Sequence, residues 1–339
     1  MIDGNFKKIT WKEAGFYLNR TGVLADCKII TALNLDDIFN GREISKRYTF
    51  DNVVFSSQID LSDSIFQKRL NFINCVFCGP VDLSDSIFRG NIQFIDCIFK
   101  RRIAAAGAEF TGDVEFKNCF ILTDVDDDFV WPNRPFYFAR ARINGDLRLT
   151  DFTIRGELCL SGIKVDGKTV FSGISIENHR RPNNEASEED SVSHLVNSRA
   201  AHTDAGNKYA SEKDLVDPSQ DVGWLNLRNS TLSGGLAIKA SGQDGFDRRL
   251  SKISDRLNLS YATVGGPVHF QELEVFGSVL LTATKLRGLT VFDLCQISKD
   301  LDLSVHTPAR IRLRGITVAE RLMIVSSKIE GGLRIEEAP

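Results

Sequence analysis

Cys75 and Cys78 form a C-x-x-C, the spacing used in thiol–disulfide exchange and in half of a zinc site. Either chemistry needs both thiols on one accessible surface, and structural zinc needs a second such pair, which the other cysteines do not supply. His179, His194 and His202 share a polar stretch with several carboxylates, but their intervals of 15 and 8 residues fit no compact zinc motif. Asp60 with Asp82, and Asp63 with Asp85, recur 22 residues apart, and Asp126, Asp127 and Asp128 form an acidic run. Paired carboxylates on an outer face are what glycoside cleavage requires. Asp at turns more often caps a corner by local hydrogen bonding, and that reading is preferred here. Arg310, Arg312 and Arg314 alternate with apolar residues, a stripe that could grip phosphate or an acidic protein. No nucleophile elbow, phosphate loop or dinucleotide fingerprint is present. No catalytic residue, metal or cofactor is expected.

The elements that carry these residues are short and repeated. Ile59–Pro80 and Val81–Arg102 align without a gap at a period of 22, and each divides into two units of 11. Within a unit, positions one, three, six and eight are apolar or small. Val81, Leu83, Ser86 and Phe88 fill one unit, and Ile92, Phe94, Cys97 and Phe99 fill the next. The frame returns at Leu147, Leu158, Leu225, Leu257, Val268, Val279 and Leu322, then opens again at Leu333 and Ile335. Pairs at i and i+2 place both side chains on one face of an extended chain, and the step of three between pairs turns a corner. Four corners in 22 residues close a roughly square coil. Coils then stack at about 4.8 Å, so Phe72, Phe94 and Phe116 form one column and Phe66, Phe88 and Phe110 another. Cys75, Cys97 and Cys119 form a third. That frame puts Cys75 inside and Cys78 past a corner, which argues against joint chemistry.

Val81–Asp85 (VDLSD) and Ser86–Gly90 (SIFRG) resemble the pentapeptide-repeat family, over about residues 48–176 and 223–335. The resemblance implies an all-β fold, a right-handed parallel β-helix solenoid of the quadrilateral type. This chain departs from the family in using units of five plus six, and in placing Val, Leu or Ile where the family has Ala. Some family members imitate duplex DNA and bind DNA gyrase, so a gyrase-like topoisomerase is a candidate partner by resemblance. Lys68, Arg69, Lys100, Arg101 and Arg102, interleaved with the acids, weigh against that role. Ala141–Gly162 also resembles repeat proteins of bacterial genomes that carry oxidoreductase labels, but no redox motif supports such chemistry.

The frame divides the chain into a cap at 1–47, a first β-helix section at 48–176, an extruded polar loop at 177–223 and a second section at 224–339. Lys12–Arg20 is expected to be a short helix in the cap, with a further turn at Asp36–Asn40. Val125–Pro135 breaks the pattern but keeps the count, since Val114 and Phe136 are 22 apart, so a degenerate unit with a bulging acidic corner is expected. Gly242–Arg256 reads as a local excursion.

A net charge of −3 argues against direct nucleic-acid binding and against coating an anionic membrane. Charge is nevertheless uneven. Residues 1–130 hold 15 Lys+Arg and 19 Asp+Glu (−4), whereas 223–339 hold 15 and 12 (+3). No apolar run is long enough for a membrane span, no leader-like stretch opens the chain, and seven cysteines suit reduced thiols. The expectation is a cytoplasmic, non-enzymatic scaffold that binds another protein. Leu333 and Ile335 would mark a coil end that pairs with a second copy or a partner subunit. A carbohydrate-active β-helix enzyme is the alternative from another class.

Overall fold

Alternation of inward and outward side chains, applied over two to four residues at a time, produces a coil of four short strands. The computed structural model describes residues 6–32, 43–122, 134–178, 224–242 and 248–337. In the coil that starts at Val81, strands run over Val81–Asp82, Ile87–Phe88, Ile92–Ile95 and Ile98–Phe99. Each pairs in parallel with its counterpart 22 residues on or back, as Phe94 does with Phe72 and Phe116. About 12 such turns stack into one β-solenoid. Its walls are a 22-stranded sheet made by the last two strands of each coil, an 11-stranded sheet and a 10-stranded sheet.

The corners explain the polar half of the repeat. The fifth residue of a unit takes the left-handed conformation, which Asn and Asp tolerate better than other residues with a Cβ. Asp63, Asn74, Asp85, Asp96, Asn118 and Asp151 all stand there with φ of 50–56°. A different corner brings successive backbones together. A Cβ on Gly145 would lie 2.6 Å from the Gly112 carbonyl, so glycine recurs at that level of the stack.

The interior is dry and columnar. Phe72, Phe94 and Phe116 stack with centroids 4.9 and 4.7 Å apart, and Phe66, Phe88 and Phe110 at 4.8 and 5.0 Å. A third ladder joins Phe55, Phe77 and Phe99 at 4.9 and 4.6 Å. Beyond residue 150 the same slots hold mainly Leu, Ile and Val, still buried. Burial of these side chains against neighbours above and below is what an isolated coil lacks.

The helix, α1, spans Trp11–Thr21. Thr10 caps it by accepting from Glu13 N, while the Glu13 carboxylate accepts from Thr10 N at 2.7 Å, and Gly22 at φ 73° ends it. Its buried face, Trp11, Ala14 and Leu18, covers the first coil, with the Trp11 ring 5.8 Å from Phe55 and stacked on it. The stack begins earlier than a frame opening at residue 48 suggests. Strand Val23–Ile29 pairs with Tyr48–Phe55, placing Leu24, Cys27 and Ile29 in inward slots. The frame was obscured because the first slot of that unit falls on Gly22. The expected turn at Asp36–Asn40 lies outside the described residues.

The expectation for Val125–Pro135 is overturned. Val114 pairs with Leu147 and Ile103 with Phe136, each 33 residues apart, so Phe136 does not follow Val114 in the column. The chain inserts one unit's length here, leaving the 22-stranded wall after Ile121 and resuming at Phe136 on the 10-stranded wall, the next in the coil. The sixth slot agrees with this placement. On the 22-stranded wall it holds Cys97, Cys119 or Phe152, whereas on the turn between the two smaller walls it holds Ser64, Ser86 or Ala108. Ala141 is of the second kind, in keeping with the pairing of Phe136–Ile143 on the smaller walls, although Ile163 there and Ser251 on the large wall show that the size of this slot is not a fixed rule.

The other interruptions are passed in the same manner. Leu158 pairs with Leu225 and Thr169 with Leu236 across the 177–223 segment. Leu225 pairs with Leu257, 32 residues on, and an antiparallel bridge between Ser241 and Arg249 closes the neck of the local excursion. Among the described residues no helix is long and apolar enough to cross a membrane.

Candidate functional site

The chemistry-bearing side chains are distributed by the frame, and most are used by it. Cys75 is fully buried while Cys78 sits half-buried at a corner, so the C-x-x-C presents no common surface. Cys75, Cys97 and Cys119 fill the sixth slot of successive coils, and each thiol donates to the carbonyl two residues earlier at 3.2–3.3 Å. Burial pushes the Cys97 thiol well above its ordinary range, and pushes those of Cys27 and Cys295 up to about 11. Neutral, desolvated thiols of this kind pack as small apolar groups and are poor nucleophiles.

The acidic columns have a conformational role. Asp60 Oδ1 accepts from Ser62 N at 3.0 Å and from the Ser62 hydroxyl at 2.6 Å, and Asp82 Oδ1 accepts from Ser84 N at 2.9 Å. Asn226, Asn258 and Asp302 make the same turn with Arg228, Ser260 and Ser304. Asp63 and Asp85 hold the left-handed corner at φ 52° and 56°. One coil further, Ala104 and Gly107 take the equivalent places, so both columns are two coils deep on that side. Asp126, Asp127 and Asp128, like His179, His194 and His202, lie outside the described residues.

Arg310, Arg312 and Arg314 do project outward around buried Ile311 and Leu313. They are engaged with neighbouring coils. Arg314 grips Asp293 through both of its terminal groups, with Nε at 2.7 Å from Oδ1. Arg312 lies 3.8 Å from Glu336, and Arg310 Nε donates to the Gly331 carbonyl at 3.5 Å. At the last coil Leu333 is half-buried and Ile335 is 64% exposed, beside exposed Leu322, Ile324 and Val325.

Two features escaped the reading of the sequence. The first is a buried ion pair at the corner where the chain re-enters after both long interruptions. Arg134 Nε donates to Glu157 Oε2 at 2.9 Å, and Asn226 Nδ2 donates to Glu157 Oε1 at 2.8 Å. Arg134 stands two residues before the resumed strand Phe136–Tyr137 and Asn226 lies in the resumed strand Leu225–Asn226, so Glu157 ties the two re-entry points to the coil between them. The second is a charge pattern on the 11-stranded wall. Its outward column reads Glu43, Ile65, Ile87, Glu109 and then Arg142, Lys164. Counting the seventh slot of alternate units, rather than charge along the chain, would have found it.

The family model for pentapeptide repeats (nine copies) matches residues 72–119, the coils with the Phe and Cys columns. No curated protein and no solved structure matches the chain. The chain carries a run of pentapeptide repeats at residues 72–119, set in a longer β-solenoid that keeps the same inward frame on both sides.

Proposed function

We propose that this chain is a cytoplasmic, non-enzymatic scaffold that binds another protein through the outer faces of its solenoid, with the 177–223 segment taking part. One observation carries the reading. Among the described residues, those with catalytic potential are committed to the coil, the thiols other than Cys78 inside it and the aspartates at its corners. The outward columns of a rigid stack then form the adaptable surface, as in other repeat proteins. The exposed apolar rim of Leu322, Ile324, Val325 and Ile335 is a second contact surface, for another copy or a different subunit. The reading as a DNA mimic directed at a gyrase-like topoisomerase has less support, because the Asp60–Asp82 and Asp63–Asp85 columns stop at Ala104 and Gly107.

The test is affinity capture from the native host, followed by reconstitution of each captured protein with the purified chain. A stoichiometric complex that weakens when 177–223 is replaced by a short Gly/Ser bridge supports the scaffold. Inhibition of gyrase supercoiling would move the DNA-mimic reading ahead. Glycan cleavage by the purified chain, abolished in Asp60→Asn or Asp82→Asn, would overturn the non-enzymatic reading.

A further inference from the structure

On the 22-stranded wall several outward cations have partners one coil away, while Lys117 and Lys239 make no ion pair among the described residues. Arg148 meets Asp113 at 3.1 Å, Lys252 meets Glu274 at 2.9 Å, and Arg314 meets Asp293. The 11-stranded wall behaves differently. From Arg142 onward its central outward column continues through Lys164, Thr231 and Thr263. It then runs through Lys285, His306 and Lys328, without a carboxylate in seven successive coils. Arg140 and Arg287 flank it at the two corners. Among the described residues Arg140, Arg142, Lys164, Lys285 and Arg287 are exposed and make no ion pair. Only Asp166 and Glu330 interrupt the strip, and Glu330 is occupied by Lys328 at 2.8 Å. Six steps of about 4.8 Å make the column roughly 29 Å long.

A second observation lies along its edge. The corner that elsewhere holds Asp63, Asp85 or Asn229 holds Arg140 at φ 59° and Tyr261 at φ 61°. Long side chains in the left-handed region are disfavoured, and where a fold retains them the reason is sought in what the side chain reaches. Tyr261 is 56% exposed, and the Arg228 guanidinium lies 5.6 Å from its ring centroid. An exposed tyrosine braced by arginine among unpaired cations has the composition of an interface centre rather than of a solvated face.

We propose that this wall, from Arg142 to Lys285 with Tyr261 at its edge, docks the acidic face of a partner protein. Charge complementarity selects the occupant, since the unpaired guanidinium and ammonium groups are matched by carboxylates. A nucleic acid fits less well. Thr231 and Thr263 split the cations into two groups, so the strip offers no unbroken track for phosphates, and the molecule as a whole carries −3. The proposal rests on the scaffold reading and names the surface and the kind of partner.

The experiment measures anisotropy of two labelled probes at low ionic strength, a short poly-L-glutamate peptide and an oligo-dT of similar charge. The full chain is compared with a variant carrying Arg142→Gln, Lys164→Gln and Lys285→Gln. A control carries Lys117→Gln, Lys239→Gln and Lys299→Gln, cations exposed on other walls or corners. Tyr261→Asn, which suits the left-handed corner, tests the ring without straining the backbone. The wall variant should lose about tenfold in affinity for polyglutamate and the control less than about twofold. Tyr261→Asn should keep the fold and weaken capture of the reconstituted partner. Equal losses in wall and control variants, no binding of polyglutamate, or tighter binding of oligo-dT would each overturn the proposal. Any of these with partner capture intact would leave the scaffold reading standing, whereas loss of all capture would remove that reading instead.

Discussion

The coils between Ile59 and Ile121 and those between Leu257 and Ile329 share one backbone plan and differ in almost everything placed on it. The first group is built on stacked phenylalanines and thiols, with Ile65, Ile87 and Glu109 on the wall where the second group has Lys285 and His306. The second is built on aliphatic columns and stitched outside by coil-to-coil pairs such as Arg314–Asp293 and Arg321–Asp300, the latter at 2.9 Å. The family model recognises residues 72–119 only, yet strand register runs unbroken to Leu333. The difference teaches that the frame of inward slots specifies the coil, while residue identity within a slot is free to drift. Outward columns are freer still, and it is there that two stretches of one solenoid come to present different surfaces.

The largest effects should come from the slots both groups need. Phe94→Ala removes the middle ring of a ladder and should cost about 3–5 kcal/mol by thermal or denaturant unfolding, and Leu281→Ala in the second group about 2–5 kcal/mol. The exposed Lys117→Ala, next to Phe116 of the ladder but on the opposite face of its strand, should be nearly silent. Comparable losses at Phe94 and Lys117 would break the assignment of inside and outside. The junction between the groups should be almost as sensitive. Glu157→Gln leaves Arg134 buried without its carboxylate, a loss of about 3–5 kcal/mol that Lys252→Ala on the surface will not approach.

Smaller effects sharpen the contrast. Asp82→Ala deletes a turn that accepts from Ser84 N and should cost about 1 kcal/mol, with Asp302→Ala alike because the same turn recurs with Ser304. Hydrogen bonding from Arg321 holds the Asp300 carboxyl below its usual range, and Lys328 does so for Glu330. A depressed carboxylate contributes stability above its unfolded pKa and loses it as pH falls through the folded value. Acid sensitivity from these pairs should therefore be confined to the second group and weaken in Arg321→Ala, as a pH series of melting temperatures would register. In native protein a thiol reagent should modify Cys78 first, with Cys75 and Cys97 reacting only on unfolding.

Much of this was legible from residue order. The 22-residue period, the Phe and Cys columns and the outward placement of Arg310, Arg312 and Arg314 follow from pairs at i and i+2 separated by steps of three. The bland reading of Asp60 and Asp82 as corner caps is the one the hydrogen bonds support. Counting failed at Val114 and Phe136 because an insertion of one unit's length preserves the apparent phase, and the size of the sixth residue separates the walls only locally, since Ile163 sits between the smaller walls and Ser251 on the large one. The Arg134–Glu157 pair was hidden for a different reason. It joins residues on two coils across interruptions whose exits the pattern does not fix. The basic wall was hidden by summation, since charge totalled along the chain averages over faces that point in different directions.

The central claim is that one continuous stack underlies both groups, despite the break at 177–223. It is tested by placing a site-specific protease sequence within that segment, cutting it, and following the two fragments by size-exclusion chromatography. Strand pairs such as Leu158 with Leu225 and Thr169 with Leu236 predict that the fragments co-elute at the position of the intact chain. Fragments that separate without denaturant, each folded on its own, would contradict the account.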